Sequence, residues 1–163
     1  MAEAKGIRIG RLTARDIKQA LALLNQAFRG RPLYTLVGLG RREVFFTPRQ
    51  LKMALRNPYM LFLVAKHGKK VVGFSNVWAI YGGVGLSGWL VVHPDYRHQG
   101  IGRALAMAEA KICKARGCHT LITVSRTGNT AGEGLLKATD WKKLIQLKRY
   151  WYKQDYWLWE HRL

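Results

Sequence analysis

The chain has 163 residues, 48% of them apolar, which is enough for one globular domain over residues 1–163 and too apolar for a disordered chain. No apolar run approaches the ~20 residues of a membrane helix, and the first residues lack the apolar segment of a secretory signal, so we expect a cytoplasmic protein with no membrane partner. Lys and Arg number 28 against 9 Asp and Glu, a formal net charge of +19, which favours an acidic partner and disfavours polyamines or other cationic substrates.

The first half of the chain predicts a strand, two helices and two strands. Apolar and polar residues alternate in the first segment, helical spacing follows, and Thr47 with Gln50 forms a capping-box pattern at the second helix. In chain order the expected elements are a strand over 6–12, a helix over 17–28 ended by Gly30, a loop with room for helical turns over 30–46, a short helix over 48–56, and strands over 59–65 and 71–80.

The second half predicts a hairpin at Gly82–Gly83 and then strands that alternate with helices. In chain order these are a strand over 84–92, a helix from 101 to about 116, a short strand over 120–124, a short helix over 131–139, and two final strands over 142–152 and 156–162. The first of these helices is expected to bury one apolar stripe, made of Ile101, Leu105, Ala108, Ile112 and Ala115. Strands both consecutive and separated by helices indicate a mixed α/β sheet with helices on both faces.

The most informative stretch covers 90–105, where an apolar segment stops at Pro94, a basic turn with Gly100 and Gly102 follows, and helical spacing then begins. The two glycines leave the N–H groups of the first helical turn uncovered, and the positive end of the helix dipole lies behind them. Arg97, His98 and Arg103 add positive charge around the turn. Such a turn suits a diphosphate, although it is neither a G-x-G-x-x-G dinucleotide fingerprint nor a P-loop.

This R-x-x-G-x-G pattern after V-x-P resembles the acetyl-CoA signature of the GNAT superfamily of N-acetyltransferases. The order of elements resembles that of the family over nearly the whole chain. The resemblance implies a mixed central sheet of about seven strands flanked by about four helices, in which the two central parallel strands, ending at Val92 and Val124, splay apart to admit the pantetheine arm of acetyl-CoA. The family often dimerises, which makes a homodimer an expectation, but no interface residue is identifiable.

The resemblance also implies which residues bind the cofactor. Leu90, Val91 and Val92 would contact the pantetheine arm through their main chains. The pyrophosphate would lie on the turn formed by Arg97, His98, Gln99, Gly100, Ile101, Gly102 and Arg103. Asn129 stands where the family has an asparagine that bonds the arm, although an N-cap role explains its position equally well.

A second family block departs from the usual pattern. Leu136 stands where the family keeps a tyrosine that protonates the leaving thiolate, and Asp140–Trp141 replaces Gly-Phe. Neither 84–92 nor 120–124 carries a carboxylate to act as general base. The catalytic residue is therefore unknown, and the candidates for a substitute are Tyr81, Tyr152 and Ser125, with Tyr150 and His93 also in reach. Main-chain N–H groups near Val91 and Val92 are the candidate oxyanion donors.

Three sets of residues have both a functional and a structural interpretation. The basic segment of Arg29, Arg31, Arg41, Arg42, Arg49, Lys52 and Arg56 is either a partner surface or a solvated face. Aromatic residues between 150 and 159, interleaved with Lys148, Arg149 and Lys153, either stack nucleic-acid bases or form core and groove wall. Cys113 and Cys118 have no metal-ligand companions and are expected to be buried thiols, so no metal site is expected.

These patterns favour an acetyl-CoA-dependent N-acetyltransferase that moves an acetyl group to a primary amine by direct attack in a ternary complex. The charge favours a macromolecular acceptor that is acidic or associated with nucleic acid, such as aminoacyl-tRNA, a ribosomal protein or a modified base. The alternative is a GNAT-fold module that binds CoA, nucleic acid or both but is weak or inactive as a catalyst.

Overall fold

A computed structural model describes residues 6–28 and 47–163, and these contain seven strands and four α-helices. The expected loop over 30–46 and its arginines lie outside the described residues. The elements are β1 (Ile7–Arg11), α1 (Ile17–Phe28), α2 (Pro48–Ala54), β2 (Leu61–His67), β3 (Lys70–Tyr81), β4 (Val84–Val92), α3 (Ile101–Ala115), β5 (Thr120–Arg126), α4 (Thr130–Ala138), β6 (Lys142–Leu147) and β7 (Tyr156–Arg162).

The seven strands form one mixed sheet in the order β1-β2-β3-β4-β5-β7-β6. Every neighbouring pair is antiparallel except β4 and β5, which run parallel because α3 carries the chain across one face of the sheet between them. The expected mixed sheet with a central parallel pair is therefore confirmed. In the described parts of the chain, no helix is long and apolar enough to cross a membrane.

Helices cover both faces of the sheet, and each face has its own core. One core packs α1 and α2 against the sheet around Leu24, Leu51 and Phe74. The other packs α3 against the opposite face around Leu105 and Trp159. Two such layers of apolar side chains hold the strand ends at the centre of the sheet in fixed positions.

The start of α1 is fixed by an ion pair whose carboxylate is buried. Asp16 ends a 3-10 turn before the helix, and its carboxylate accepts hydrogen bonds from the Thr13 hydroxyl (2.7 Å) and main chain (3.1 Å). Lys66 on β2 lies 2.6 Å from the other carboxylate oxygen. Burial alone would raise the pKa of Asp16, but these donors together lower it. The contacts between Thr13 and Asp16 therefore close the 3-10 turn that leads into α1.

Two expectations from the sequence are wrong in detail. The strand expected over 142–152 ends at Leu147, because the chain must turn back into β7 and Arg149 and Lys153 take positive φ angles of 48° and 56°. The buried stripe of α3 is also out of phase. Ile101 and Leu105 are buried as expected, but the stripe continues through Glu109 and Cys113, while Ala108 and Ile112 are only partly buried and Ala115 is exposed.

Candidate active site

The two central parallel strands separate partway along their length. Val84, Gly85 and Leu86 of β4 pair with 120–122 of β5, and no further pair forms although β4 continues to Val92 and β5 to Arg126. Thr123 bridges the point of separation, because its hydroxyl donates to the main-chain carbonyl of Ser87 (2.9 Å). The sheet therefore contains a wedge-shaped gap, called here the splay, which opens towards the carboxyl ends of both strands.

Two residues of β4 present their main chains to the splay. His93 donates from its main-chain nitrogen to Val72 of β3 (2.8 Å), and main-chain groups alternate in direction along an antiparallel pair. With the register of Val91 opposite Phe74, Val91 therefore faces β3, and the N–H and C=O of Leu90 and Val92 point into the splay. Leu90, Val91 and Val92 are expected to contact the pantetheine arm, and Val91 is also a candidate oxyanion donor. The main chain of Val91 is not directed into the splay, so neither expectation holds for this residue.

A bulge in β4 lies beside the splay. The register passes from Val77 opposite Ser87 to Ser75 opposite Leu90, so that Gly88 and Trp89 together face one residue of β3, Asn76. The Asn76 side chain accepts a hydrogen bond from the Trp89 main chain (3.0 Å). A Cβ at Gly88 would lie 2.0 Å from the indole nitrogen of Trp78 and 2.8 Å from the Asn76 amide nitrogen. The glycine is therefore required for this close packing.

The basic turn after β4 has the geometry of an anion site. Gly100 is the N-cap of α3 with φ 79°, His98 also has a positive φ of 60°, and a Cβ at Gly100 would meet nothing within 4 Å. The N–H groups of 101–103 have no partner inside the helix and converge on this open space. The guanidinium of Arg97 reaches back to the carbonyl of Val92 (3.3 Å), which joins the turn to the mouth of the splay.

Gly102 marks where the turn, the splay and α4 meet. A Cβ there would contact Leu90 of β4 and Leu135 of α4 at 3.5 Å, which is ordinary van der Waals distance. Packing inside the protein therefore does not require glycine at 102, whereas close approach of a ligand to the main chain would. The open anion turn, Arg97 and the unpaired edge of β4 together fit a diphosphate joined to an extended amide-containing arm.

The second family block places its residues on α4. Asn129 is the N-cap, and its side-chain oxygen accepts from the main chain of Gly132 (3.2 Å), which confirms the capping interpretation and leaves the side-chain NH₂ as the group that could donate to an arm. Leu136 packs against the core on the α3 face of the sheet. An apolar side chain therefore occupies the place where the resemblance implies a proton donor.

The expected catalytic candidates do not gather at the splay. Ser125 is buried and its hydroxyl accepts from the Trp159 indole (2.8 Å), which is a structural role. Tyr81 is 83% exposed at the β3–β4 hairpin, at the end of β4 opposite the anion turn. The His93 ring accepts from the Asp95 main chain (3.3 Å) as the cap of a 3-10 turn. Tyr152 lies in the 3-10 turn before β7, and its side chain is not among those described.

A buried carboxyl that the sequence analysis missed lies beside the splay. Glu109 of α3 is 2% exposed and accepts a hydrogen bond from the Ser87 hydroxyl (2.9 Å). Burial raises the pKa of Glu109 to about 7, and the side chains of Ser75 and Ser87 oppose part of this rise. The i, i+4 spacing from Leu105 could have indicated its burial, but the assumption that a buried stripe is apolar concealed it.

Cys113, one turn beyond Glu109, is a buried free thiol, as is Cys118. Burial and the nearby Cys118 and Glu109 raise the pKa of Cys113 to about 12, so the thiol stays protonated and is not a nucleophile. The expectation of two buried thiols is confirmed. Within 6–28 and 47–163 no group of His, Cys, Asp and Glu is arranged to hold a metal ion.

A basic and aromatic turn joins β6 to β7 at the same end of the sheet as the opening of the splay. Tyr150 and Trp151 stack at 5.5 Å between ring centroids, about half exposed, and both pack edge-on against buried Tyr156. Asp155 holds the turn by accepting from the Arg149 main chain (2.9 Å). Lys148, Arg149 and Lys153 are exposed around the rings.

A splayed parallel pair with an anion turn at its mouth defines a fold class that binds acyl-CoA donors, and comparison with known proteins agrees. The model of the acetyltransferase (GNAT) family matches residues 23–139. A Bacillus subtilis (strain 168) protein named "Putative ribosomal protein bS18-alanine N-acetyltransferase" is 26% identical over 83 residues, which is 51% of this chain and 54% of that protein. The chain thus spans about half the length of the curated relatives it matches first.

Solved structures show the same architecture. A GNAT-family acetyltransferase from Streptococcus pneumoniae superposes with a TM-score of 0.81 at 18% identity, covering 96% of this chain and 99% of that one. The PaiA N-acetyltransferase of Thermoplasma acidophilum in complex with coenzyme A gives a TM-score of 0.77 at 18% identity, covering 96% and 99%. The chain belongs to the acetyltransferase (GNAT) family, which confirms the resemblance seen in its residues.

Proposed function

We propose that this chain is an acetyl-CoA-dependent N-acetyltransferase that acetylates a primary amine on a macromolecule. The observation that carries the proposal is the splay with the anion turn at its mouth. The N–H groups of 101–103, with the side chains of Arg97 and Arg103, would hold the pyrophosphate. Leu90 and Val92 would bond the pantetheine arm as an added strand.

The chain's own groups account for part of the chemistry. Bound acetyl-CoA supplies an activated acetyl group as a thioester. The main-chain N–H groups of Leu90 and Val92, directed into the splay, are placed to stabilise negative charge on the thioester oxygen. Alignment of the two substrates in the splay can supply about 7–11 kcal/mol of the barrier reduction. Leu136 contributes no proton to the leaving group.

The cofactor site is tested by a matched pair of glycine substitutions. Gly100 and Gly117 lie at opposite ends of α3, both have positive φ (79° and 85°), and a Cβ at either would meet nothing within 4 Å. Leucine at each position should therefore cost similar backbone strain. Only Gly100→Leu covers the anion turn, so calorimetric titration with CoA should show roughly ten- to hundredfold weaker binding from the loss of one or two charge-assisted hydrogen bonds. Equal affinity in both variants would refute the site.

The net charge of +19 and the curated relative's name support a macromolecular acceptor that is acidic or associated with nucleic acid. The turn bearing Tyr150 and Trp151 adds a stacked aromatic surface within a basic segment, which suits contact with a nucleic acid beside the acceptor. Arg49, Lys52 and Arg56, all exposed on and after α2, add to the basic surface.

The acceptor is tested by incubating the chain and labelled acetyl-CoA with ribosomal proteins, aminoacyl-tRNA, modified RNA or spermidine, and by locating the label with mass spectrometry. Labelling of one of the first three is the expected result. Turnover with spermidine alone would contradict the argument from charge. CoA binding without transfer to any acceptor would favour the alternative, a module that binds CoA but does not catalyse transfer. The observation that supports this alternative is the apolar Leu136 in place of a proton donor.

A further inference from the structure

A cluster of polar side chains lies beneath α3 at the point where β4 and β5 separate. Glu109 accepts from the Ser87 hydroxyl (2.9 Å), and the Ser87 carbonyl accepts from the Thr123 hydroxyl (2.9 Å). Ser75 on β3 lies beside the same carboxyl. All but Ser87 are buried, with Ser75 at 0% and Glu109 at 2% exposure. The cluster therefore connects β3, β4, β5 and α3 at the apex of the splay.

Ser87 connects this cluster to the splay. It is the first residue of β4 beyond the last pair with β5, and it is partly exposed, whereas the carboxyl behind it is not. A hydroxyl that donates to a carboxylate can accept a proton on its own oxygen while it passes its own proton to that carboxylate. Ser87 thus has the placement of a proton-transfer group between the splay and a buried acceptor.

The carboxyl of Glu109 has capacity left to take up a proton. Its second oxygen, Oε1, and the Ser75 hydroxyl have no hydrogen-bond partner that the geometry satisfies. Among the described residues no Lys, Arg or His forms an ion pair with Glu109. The groups that face it are Ser75 of β3, Ser87 of β4 and the neutral Cys113 thiol of its own helix. A carboxylate without a cationic partner is held in an energetically unfavourable charged state, which increases its basicity.

We propose that Ser87 and Glu109 form the proton-accepting pair of the acetyl transfer, in place of the carboxylates missing from β4 and β5. The inference rests on the proposed function. As the amine nitrogen forms the C–N bond, the C–S bond breaks and sulfur leaves with its electron pair. The amine proton passes to Oγ of Ser87 while the Ser87 proton passes to Oε2 of Glu109. The relay then runs in reverse, as Ser87 gives a proton to the thiolate and the protonated carboxyl of Glu109 returns its proton to Ser87. Ser87 touches the substrate, and Glu109 acts through it as a positioning residue.

Burial supports this role because it brings the pKa of Glu109 to about 7. A base is most effective when its pKa lies near the working pH, since it is then both largely ionised and strong enough to take the proton. A carboxylate at its ordinary pKa of about 4.3 would be a much weaker base.

The test compares Glu109→Gln, Ser87→Ala and the double variant with two controls in the full chain. Glu133→Gln removes an acidic side chain of α4 that pairs with Lys143, and Thr139→Val removes a buried hydroxyl at the end of α4. The probe acceptor is a peptide with an N-terminal alanine. We expect kcat to fall about 10²-fold in both single variants and little further in the double variant, with KM for acetyl-CoA unchanged and both controls near wild type.

The pH dependence separates proton transfer from a purely structural role. The ratio of wild-type kcat to that of Glu109→Gln should rise with pH through about 7, because ionisation of the peptide amine is common to both and cancels. A constant ratio, or full activity in Glu109→Gln, would overturn the pair and leave acetyl transfer standing.

A second readout decides the matter if the wild type does not acetylate this peptide, a result that would count against a protein N-terminus as the acceptor. The infrared carbonyl stretch of a protonated carboxyl, assigned by its absence in Glu109→Gln, should disappear with a midpoint near pH 7. A carboxyl still protonated at about pH 9, or already ionised at about pH 5, could not act as this base and would equally overturn the inference.

Discussion

Replacing Glu109 by glutamine should change how the stability of the protein depends on pH. The folded state raises the pKa of this carboxyl from 4.5 to about 7, so folded Glu109 binds its proton more tightly than unfolded Glu109 does. Its contribution to stability is therefore fully present below about pH 4.5 and is lost as pH rises to about 7. At 1.36 kcal/mol per pKa unit, the shift corresponds to about 3 kcal/mol between pH 4 and pH 8.

Urea unfolding of wild type and Glu109→Gln at pH 4, 6 and 8 measures this difference. The two proteins should have similar free energies of unfolding at pH 4, and the variant should be more stable by about 3 kcal/mol at pH 8, because glutamine keeps the acceptor for Ser87 without a charge. Glu133→Gln is a control of opposite sign, since the hydrogen bond from Lys143 lowers the pKa of Glu133 and stabilises the fold above its pKa. Parallel pH curves for wild type and Glu109→Gln would refute a raised pKa at Glu109.

Three further outcomes follow from single contacts. Asp16→Asn should lower the free energy of unfolding in urea at pH 7 by roughly 1–3 kcal/mol, because it removes the charge that pairs with Lys66. This deficit should shrink as pH falls through the lowered pKa of Asp16. Asn129→Ala should cost about 1 kcal/mol through loss of the α4 cap; an unchanged melting temperature would contradict that role. Cys113 should resist iodoacetamide in the native protein up to about pH 9 and react after unfolding in urea, as peptide mapping would show.

The sequence predicted the parts of the site that depend on local main-chain geometry. Strand β4, which the structure gives as Val84–Val92, and the helix start at Ile101 follow from an apolar run, a proline and two glycines, and each of these acts on its own neighbours. The β4 bulge could not be predicted, because Gly88 and Trp89 face Asn76 only through a register set by strands distant in sequence. The same holds for the alternation that turns Val91 away from the splay.

The burial of Glu109 shows why an apolar stripe is an incomplete guide to a helix's inner face. Leu105, Glu109 and Cys113 lie four residues apart on α3 and therefore on one face of the helix. A carboxyl is expected to face solvent unless its partners are known. Here the neighbouring hydroxyls, those of Ser75 and Ser87, come from β3 and β4. An apolar side chain at 109 would avoid the charged form's cost of about 3 kcal/mol above neutral pH. This chain nevertheless has a carboxyl at the apex of the splay, and it has Leu136 where the family resemblance implies a tyrosine. The titratable group beside the splay therefore comes from α3. Proton transfer and stability are then coupled through one residue, so a variant that neutralises Glu109 should gain stability and lose catalysis over the same pH range, as pH rises through about 7.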